Sequence, residues 1–477
     1  MKSPARWALF ALLLLSPALA QSLVSLAPTG AMAGFYLGDL SNSPYLQGIA
    51  SDWRQSGLEA WLSRNLEKEL GQDSNLLGIA QGGAFAAVYP DGGFFFIAKP
   101  SARTMQAIRA EVKKAKVENG WLVERSAGMV NGVSRDLVFM ATPRQANLFL
   151  GNKRGLRAPV GGDLFFWGEP PRNLDAEYGL PPRLGLTLAA IRRVSVGLKL
   201  TAGGYTTETR LELDRNADPA FSNLVLPREK PWELGEFPAG YSGGVGVLDL
   251  ASSGRYLSSL LSDFDVKLNF DLQAFGTRYA LVTVPGPRSS GVGNLEAPMG
   301  HQLIYLEVKD GATAEANFLA AVQNLAAFAT PEGQGGFKVA GQEGGFKVLE
   351  VGLLGNLYYR LNGDKLVVAT SKAALAAASG KLWKDRPEYQ RFRVTVPQNA
   401  VSYSFGDQKG PGLESLATLR GSIPQTIGAE DKETKELTDR LVKFLERVYN
   451  RLGNSISYSV IEGSTLVSRG FSEVRWK

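Results

Sequence analysis

The chain has 477 residues, 44% hydrophobic and 21% charged, ordinary globular values that exclude a disordered polymer. One core seldom serves more than about 250–300 residues, so at least two domains are expected. The net charge is only +6 with no dense Lys/Arg block, which argues against nucleic acid, and the lack of any Cys excludes disulfides and a lipid-modified N-terminal Cys.

In chain order, Lys2 and Arg6 flank the start of an apolar run, Trp7 to Leu15, followed by Ser16-Pro17 and Ala18-Leu19-Ala20. Basic, apolar, then small-x-small is the pattern of a secretory signal peptide, here cleaved after Ala20. The run is far short of the ~20 residues that span a bilayer. The mature chain is expected to start at Gln21 and to be periplasmic or secreted, with no transmembrane segment.

Gly34 to Ile49 reads as a strand closing on Asp39-Leu40, a small-residue turn and a helix start. A helix is predicted from Trp53 to Leu70, with Leu58, Trp61, Leu62, Leu66 and Leu70 on one face and Gly71 beyond its end. Phe85–Val88 and Phe94–Ala98 form a hairpin around Pro90-Asp91-Gly92. Ser101 then caps a helix carrying Met105, Ile108, Val112 and Ala115. Leu137 to Gly151 is a strand ending in Ala-Thr and a short helix closed by Gly. Asp163 to Pro170 is a strand ending aromatic-Gly-acid. Leu184 to Arg193 is a helix leading into a hairpin that turns at Gly203-Gly204.

Residues 215–239 carry Pro219, Pro227, Pro231 and Pro238 and read as a linker. Beyond it the same five blocks recur in the same order. They are Gly244 to Leu261 with Asp249-Leu250, His301 to Phe328, Lys365 to Gly380 and Val401 to Gln408. The fifth is a helix, Leu437 to Leu452, leading into a hairpin that turns at Glu462-Gly463. In that helix Leu437, Leu441, Phe444, Leu445, Val448 and Leu452 form one apolar stripe. Ordered recurrence over about 210–260 residues reads as a duplication. The expected class is α+β. A leader (1–20) precedes two modules (21–214 and 240–477), each an antiparallel sheet with helices packed on one face, joined by the Pro-rich linker.

The opening strand-Asp-Leu-Ser turn, the strand-helix step at Leu366 to Leu375 and the closing helix-hairpin carry a family resemblance. Over nearly the whole mature chain, it resembles a family of exported bacterial proteins known as a domain of unknown function, number three thousand three hundred and fifty-two. The resemblance implies a secreted two-module α+β protein and supplies no functional residues.

Catalytic patterns are sparse. His301 is the one histidine, and a Ser-His-Asp set would have to use it; beside Gly300 at a strand start it reads as an edge residue facing solvent. Gly240-Tyr241-Ser242-Gly243-Gly244 matches G-x-S-x-G, but a Pro-rich stretch precedes the Ser and a strand follows, the wrong context for a nucleophile elbow. Asp263 and Asp265 begin like a calcium loop, yet Lys267 stands where an oxygen ligand is needed. Gly380-Lys381 is followed by Leu382, so no phosphate loop forms. One His and no Cys are too few for a zinc site.

Glu169 and Asp407 occupy equivalent strand ends and read as solvated turn acids, while Asp39 and Asp249 should bond the Ser-rich turns after them. The runs Phe94-Phe95-Phe96 and Phe165-Phe166-Trp167 must point to both sheet faces, which are expected to be covered. No catalytic, cofactor or metal residue is assigned, and no cofactor is expected. The expected function is that of an exported cell-envelope binding or scaffold protein for a partner protein, polymer or apolar ligand. The alternative is a hydrolase with a carboxylate-based site.

Overall fold

Short turns force antiparallel neighbours, and this chain is rich in them. The computed structural model describes residues 20–475 apart from 40–43, 62–63, 65–75, 113–114, 127, 171–180, 265–270, 287–300, 330–336, 352–354, 415 and 417–431. The first half holds β1 (Ala33–Leu37), β2 (Ala84–Val88), β3 (Phe94–Ala98), β4 (Lys116–Glu118) and β5 (Trp121–Ser126). It continues with β6 (Met129–Val133), β7 (Val138–Ala141), β8 (Leu164–Gly168), β9 (Ile191–Thr201) and β10 (Gly204–Leu213). The second half holds β11 (Ser242–Val247), β12 (Phe275–Val284), β13 (His301–Val308), β14 (Phe337–Glu343) and β15 (Phe346–Val351). It ends with β16 (Asn356–Asn362), β17 (Lys365–Ala369), β18 (Ser402–Asp407), β19 (Leu452–Glu462) and β20 (Thr465–Val474).

Among the described residues, all pair antiparallel in one 20-stranded sheet. From one edge to the middle the order is β4-β5-β6-β7-β3-β2-β1-β8-β9-β10. From the other edge it is β14-β15-β16-β17-β13-β12-β11-β18-β19-β20. Each strand of one half thus has a counterpart at the same place in the other. The halves meet where β10 pairs with β20, from Gly204 opposite Glu473 to Glu212 opposite Thr465.

Helices cover both faces, not one. On the first face, Tyr36, Phe85 and Phe165 pack under α1 (Ala20–Leu26), through Leu23 and Val24, and under α4 (Pro143–Leu150), through Phe149. On the other face, Leu37, Ala98 and Leu164 pack under α3 (Ala102–Glu111), through Met105 and Ile108. The second half repeats this, with Ile304, Leu306 and Leu366 under α8 (Gly311–Ala329). Strands apolar on both sides favour cover on both faces.

Four helices tie the halves together. α2 (Pro44–Ser56) lies against α11 (Lys432–Arg451), with Trp53 edge-on to Phe444 at 5.4 Å and Asp52 bonded to Arg451. α5 (Pro182–Ala190) meets α7 (Leu250–Ser262), with Arg183 stacked 4.6 Å from the Tyr256 ring. Each half's helix therefore packs on a helix of the other.

Three expectations need correction. The helix expected at Trp53 starts earlier, at Pro44, whose fixed φ suits a first turn, is broken at Gly57 with φ 77° and resumes at Leu58, with Leu58 and Trp61 buried as expected; its expected end at Leu70 and Gly71 lies outside the described residues. Residues 215–239 are not a bare linker. Asp218 caps α6 (Pro219–Val225), and Trp232, Leu234 and Phe237 are buried in the second-half core. Prolines stopped strands there, but the apolar residues between them still needed burial. The stripe of α11 is only half covered: Leu441 is 38% exposed, Val442 beside it is buried, and Leu452 belongs to β19.

Candidate functional site

Directly paired residues share a sheet face, so pairing alone lays out a floor across the middle of the molecule. Gly197, Glu208, Arg469 and Tyr458 form one row, and Lys199, Thr206, Phe471 and Ile456 the next. The covers of the two halves stop short of each other above it. Val160 and Gly161, from the segment between α4 and β8, form one wall. Arg391 and Phe392 of α10 (Pro387–Arg393), with Thr395, form the other. Between them lies a groove of about 820 Å³. Gly197 lets the first wall descend: a Cβ there would strike the Gly161 carbonyl and Val160, an approach that needs glycine.

The groove is amphipathic. Phe392, Ile456, Phe471 and Tyr458 supply apolar surface. Glu208 accepts from Arg210 at 2.7 Å and from Arg469 at 2.9 Å, and Arg469 also donates to Glu462 at 3.0 Å. Burial would raise the Glu208 carboxyl, but the two guanidiniums outweigh it and hold the group below the usual range. Arg391 pairs with Glu473 at 2.6 Å. Lys199 is exposed and forms no salt bridge among the described residues.

The α10 wall is held by Glu233. Its carboxylate accepts from Tyr389 at 2.6 Å and Tyr403 at 2.7 Å, and takes Arg393 in a fork at 2.7 to 3.1 Å. Burial pushes this carboxyl up, yet Arg393 and the two hydroxyls bring it down to about 2. Such a lowered group adds stability above its unfolded value, which fades as pH falls from about 4.5 towards 2. Because the side chain is 43% exposed, solvent screens the fork. Glu233→Gln should cost about 1–2 kcal/mol at neutral pH and flatten the acid limb of the stability curve. Parallel acid titrations of both proteins by circular dichroism check this; identical acid limbs would show that the node does not hold the wall.

The residues singled out in the sequence do not gather in the groove. His301 is corrected: β13 sits between β12 and β17, and the ring is buried, 3% exposed, with Nδ1 2.7 Å from Ser371 Oγ. Ser371 is itself 1% exposed and caps α9 (Lys372–Ala377) by accepting from Ala374 N–H, so its hydroxyl is engaged and out of reach of a substrate. Ser242 opens β11 inside the sheet, paired with Thr283 and Gly406, which is no elbow. Asp263 accepts from Arg183 N–H at 2.6 Å at the start of α5, while Asp265 and Lys267 lie outside the described residues.

Glu169 does not stand free as a turn acid, because Arg193 grips it at 2.6 and 3.0 Å; Asp407 accepts from the amides of Lys409 and Gly410. Asp249 bonds Ser252 as expected, while the turn after Asp39 lies outside the described residues. The aromatic runs are only partly covered: Phe95, Phe165 and Trp167 are buried, but Phe166 is 41% exposed. Gly380 closes the segment after α9, and Lys381 O accepts from Ala239 N–H. Among the described residues, no three His, Asp or Glu side chains gather as metal ligands, and no helix is long and apolar enough to cross a membrane.

The groove residues escaped the sequence reading because each sits singly in a strand or short helix. Only alternation within the two closing hairpins could have flagged them.

No family model matches the chain, and no curated protein matches it. Among solved structures, crystal forms IV, III and I of TP0453 match at 9% identity. The matches cover 40%, 40% and 41% of this chain and 81%, 80% and 80% of that chain, with TM-scores of 0.25, 0.25 and 0.21. Likeness at that level carries no argument about function.

Proposed function

We infer that the chain is a binding protein of the cell envelope, built by duplication of one ten-strand module, with the central groove as its ligand site. The observation that carries the reading is the groove itself, an amphipathic trough on the joint between corresponding halves. Two orders of ten strands that agree at every place support the duplication. The resemblance to the exported domain-of-unknown-function family accords with it. The occupant that fits the lining is an extended chain carrying apolar groups and carboxylates, with Phe392 and Phe471 for the former and Lys199 for the latter. A hydrolase is not supported, since Glu208 and Glu473 are both tied up by arginines.

The test is co-purification. Mature protein isolated from its native envelope should carry a ligand identifiable by mass spectrometry. Thr206→Trp, which fills the floor, and Lys199→Glu, which inverts the charge, should each lose it at least about tenfold. A ligand profile unchanged by both variants would remove the groove from consideration.

Export has its own check. The leader should be absent from envelope protein, and N-terminal sequencing should begin at Gln21. A chain that still begins at Met1 would be a retained, anchored form.

A further inference from the structure

The groove floor has a repeat along its strands, where two residues advance by about 6.8 Å. Three rows follow one another: Glu208 with Arg469, then Thr206 with Phe471 and Ile456, then Gly204 with Glu473. Arg391 of the second wall closes on Glu473. An apolar row is thus flanked on both sides by a guanidinium–carboxylate pair. Phe392, 6.0 Å from Phe471, widens that row. Each pair is neutral as a whole and offers donors and acceptors side by side. A hydroxyl, which donates and accepts at once, can meet both members of such a pair. A hydrocarbon chain would strip water from both and replace none of it.

We propose that the groove holds a linear glycan bearing carboxylates, which rests on the groove being the ligand site. A pyranose ring matches the three rows: its C–H face suits Phe471 and Phe392, and the hydroxyls at its edges reach the pairs on either side. The carboxylates answer uncompensated charge beside the first wall. Lys199 is exposed on the floor, and Lys153 and Arg157 are exposed in the segment leading to Val160. Among the described residues none of the three forms a salt bridge. A peptide fits less well. β9, β10, β20 and β19 are each paired on both sides, so the floor offers no strand edge to a peptide backbone.

Titration calorimetry of the mature chain tests this with hexamers of mannuronate, of galacturonate and of hyaluronan, against neutral cellohexaose and hexaglutamate. At least one acidic glycan should bind with Kd of about 10–100 µM, and at least about tenfold more tightly than either control. Phe471→Ala should weaken it about tenfold. Lys199→Glu with Arg157→Glu should do the same and leave cellohexaose unaffected. Arg103→Glu, an exposed change on α3, should alter nothing. Circular dichroism establishes that each variant is folded. No binding by any of the three acidic glycans at about 1 mM would overturn the proposal. So would binding that ignores both groove variants, or cellohexaose bound as tightly. Hexaglutamate bound as tightly would assign the site to acidic peptides and overturn it as well. A peptide or acyl lipid that co-purifies and is lost with Thr206→Trp would overturn the glycan yet keep the groove as the ligand site. The groove itself falls only when the co-purified profile ignores both Thr206→Trp and Lys199→Glu.

Discussion

Trp383→Ala should lower the free energy of unfolding by about 3–5 kcal/mol, measured by guanidinium unfolding. Trp383 is fully buried and is the largest such side chain in the molecule's described core. Its ring meets Phe405 edge-on at 5.4 Å and Tyr389 at 6.2 Å. It also lies on Gly243 of β11, where any Cβ would fall 2.6 Å from Nε1. Its backbone N–H donates to Phe237 O, so the residue joins the segment after the first half to the cover of the second. Truncation would leave a cavity among rigid rings, which relax poorly. A loss under about 1 kcal/mol would mean that the segment from Trp232 to Phe237 and α10 collapse into the space, and that the groove wall is softer than described.

The second large effect is expected at Asp52. Asp52→Ala should cost about 2–4 kcal/mol in the same measurement, because it strips the partner from a part-buried guanidinium. The Asp52 side chain is 2% exposed and accepts from Arg451 at 2.6 and 3.0 Å, with Arg447 at 4.0 Å. Arg451 is 24% exposed, so water recovers part of the loss. The double variant Asp52→Leu with Arg451→Met should recover most of the stability, since replacing both charges removes the desolvation cost along with the attraction. If Asp52→Ala unfolds like the parent, the crossing of α2 and α11 contributes no net cohesion between the halves.

Local chemistry made the hairpins legible. Pro90-Asp91-Gly92, Asn362-Gly363-Asp364 and Glu462-Gly463 all place a glycine at positive φ: 75° at Gly92, 61° at Gly363 and 65° at Gly463. Those turns, with strand alternation, predict β2–β3, β16–β17 and β19–β20 and their antiparallel sense. What joins β10 to β20 is not local. Glu208 meets Arg469 across 261 positions, and nothing near either residue signals the other. His301 was misread for the same reason: its neighbour Gly300 suggested an edge, but Ser371, far along the chain, sets its environment. Trp232 and Phe237 could have been read as core, had their apolar character been weighed against the prolines around them.

The β10–β20 ladder also bears on the order of synthesis. β10 is complete early, and its partner is the final strand of the twenty. Until β20 emerges, the first half presents a ten-residue strand with one row of unpaired amides and carbonyls, a template for any extended segment. The half-made chain is thus at its most aggregation-prone while the second half is still being produced. Closing that gap also requires a loop of over 250 residues to be brought together, which slows the final step. Nascent chains halted before residue 465 should accordingly bind holdase chaperones more strongly than chains that have released β20.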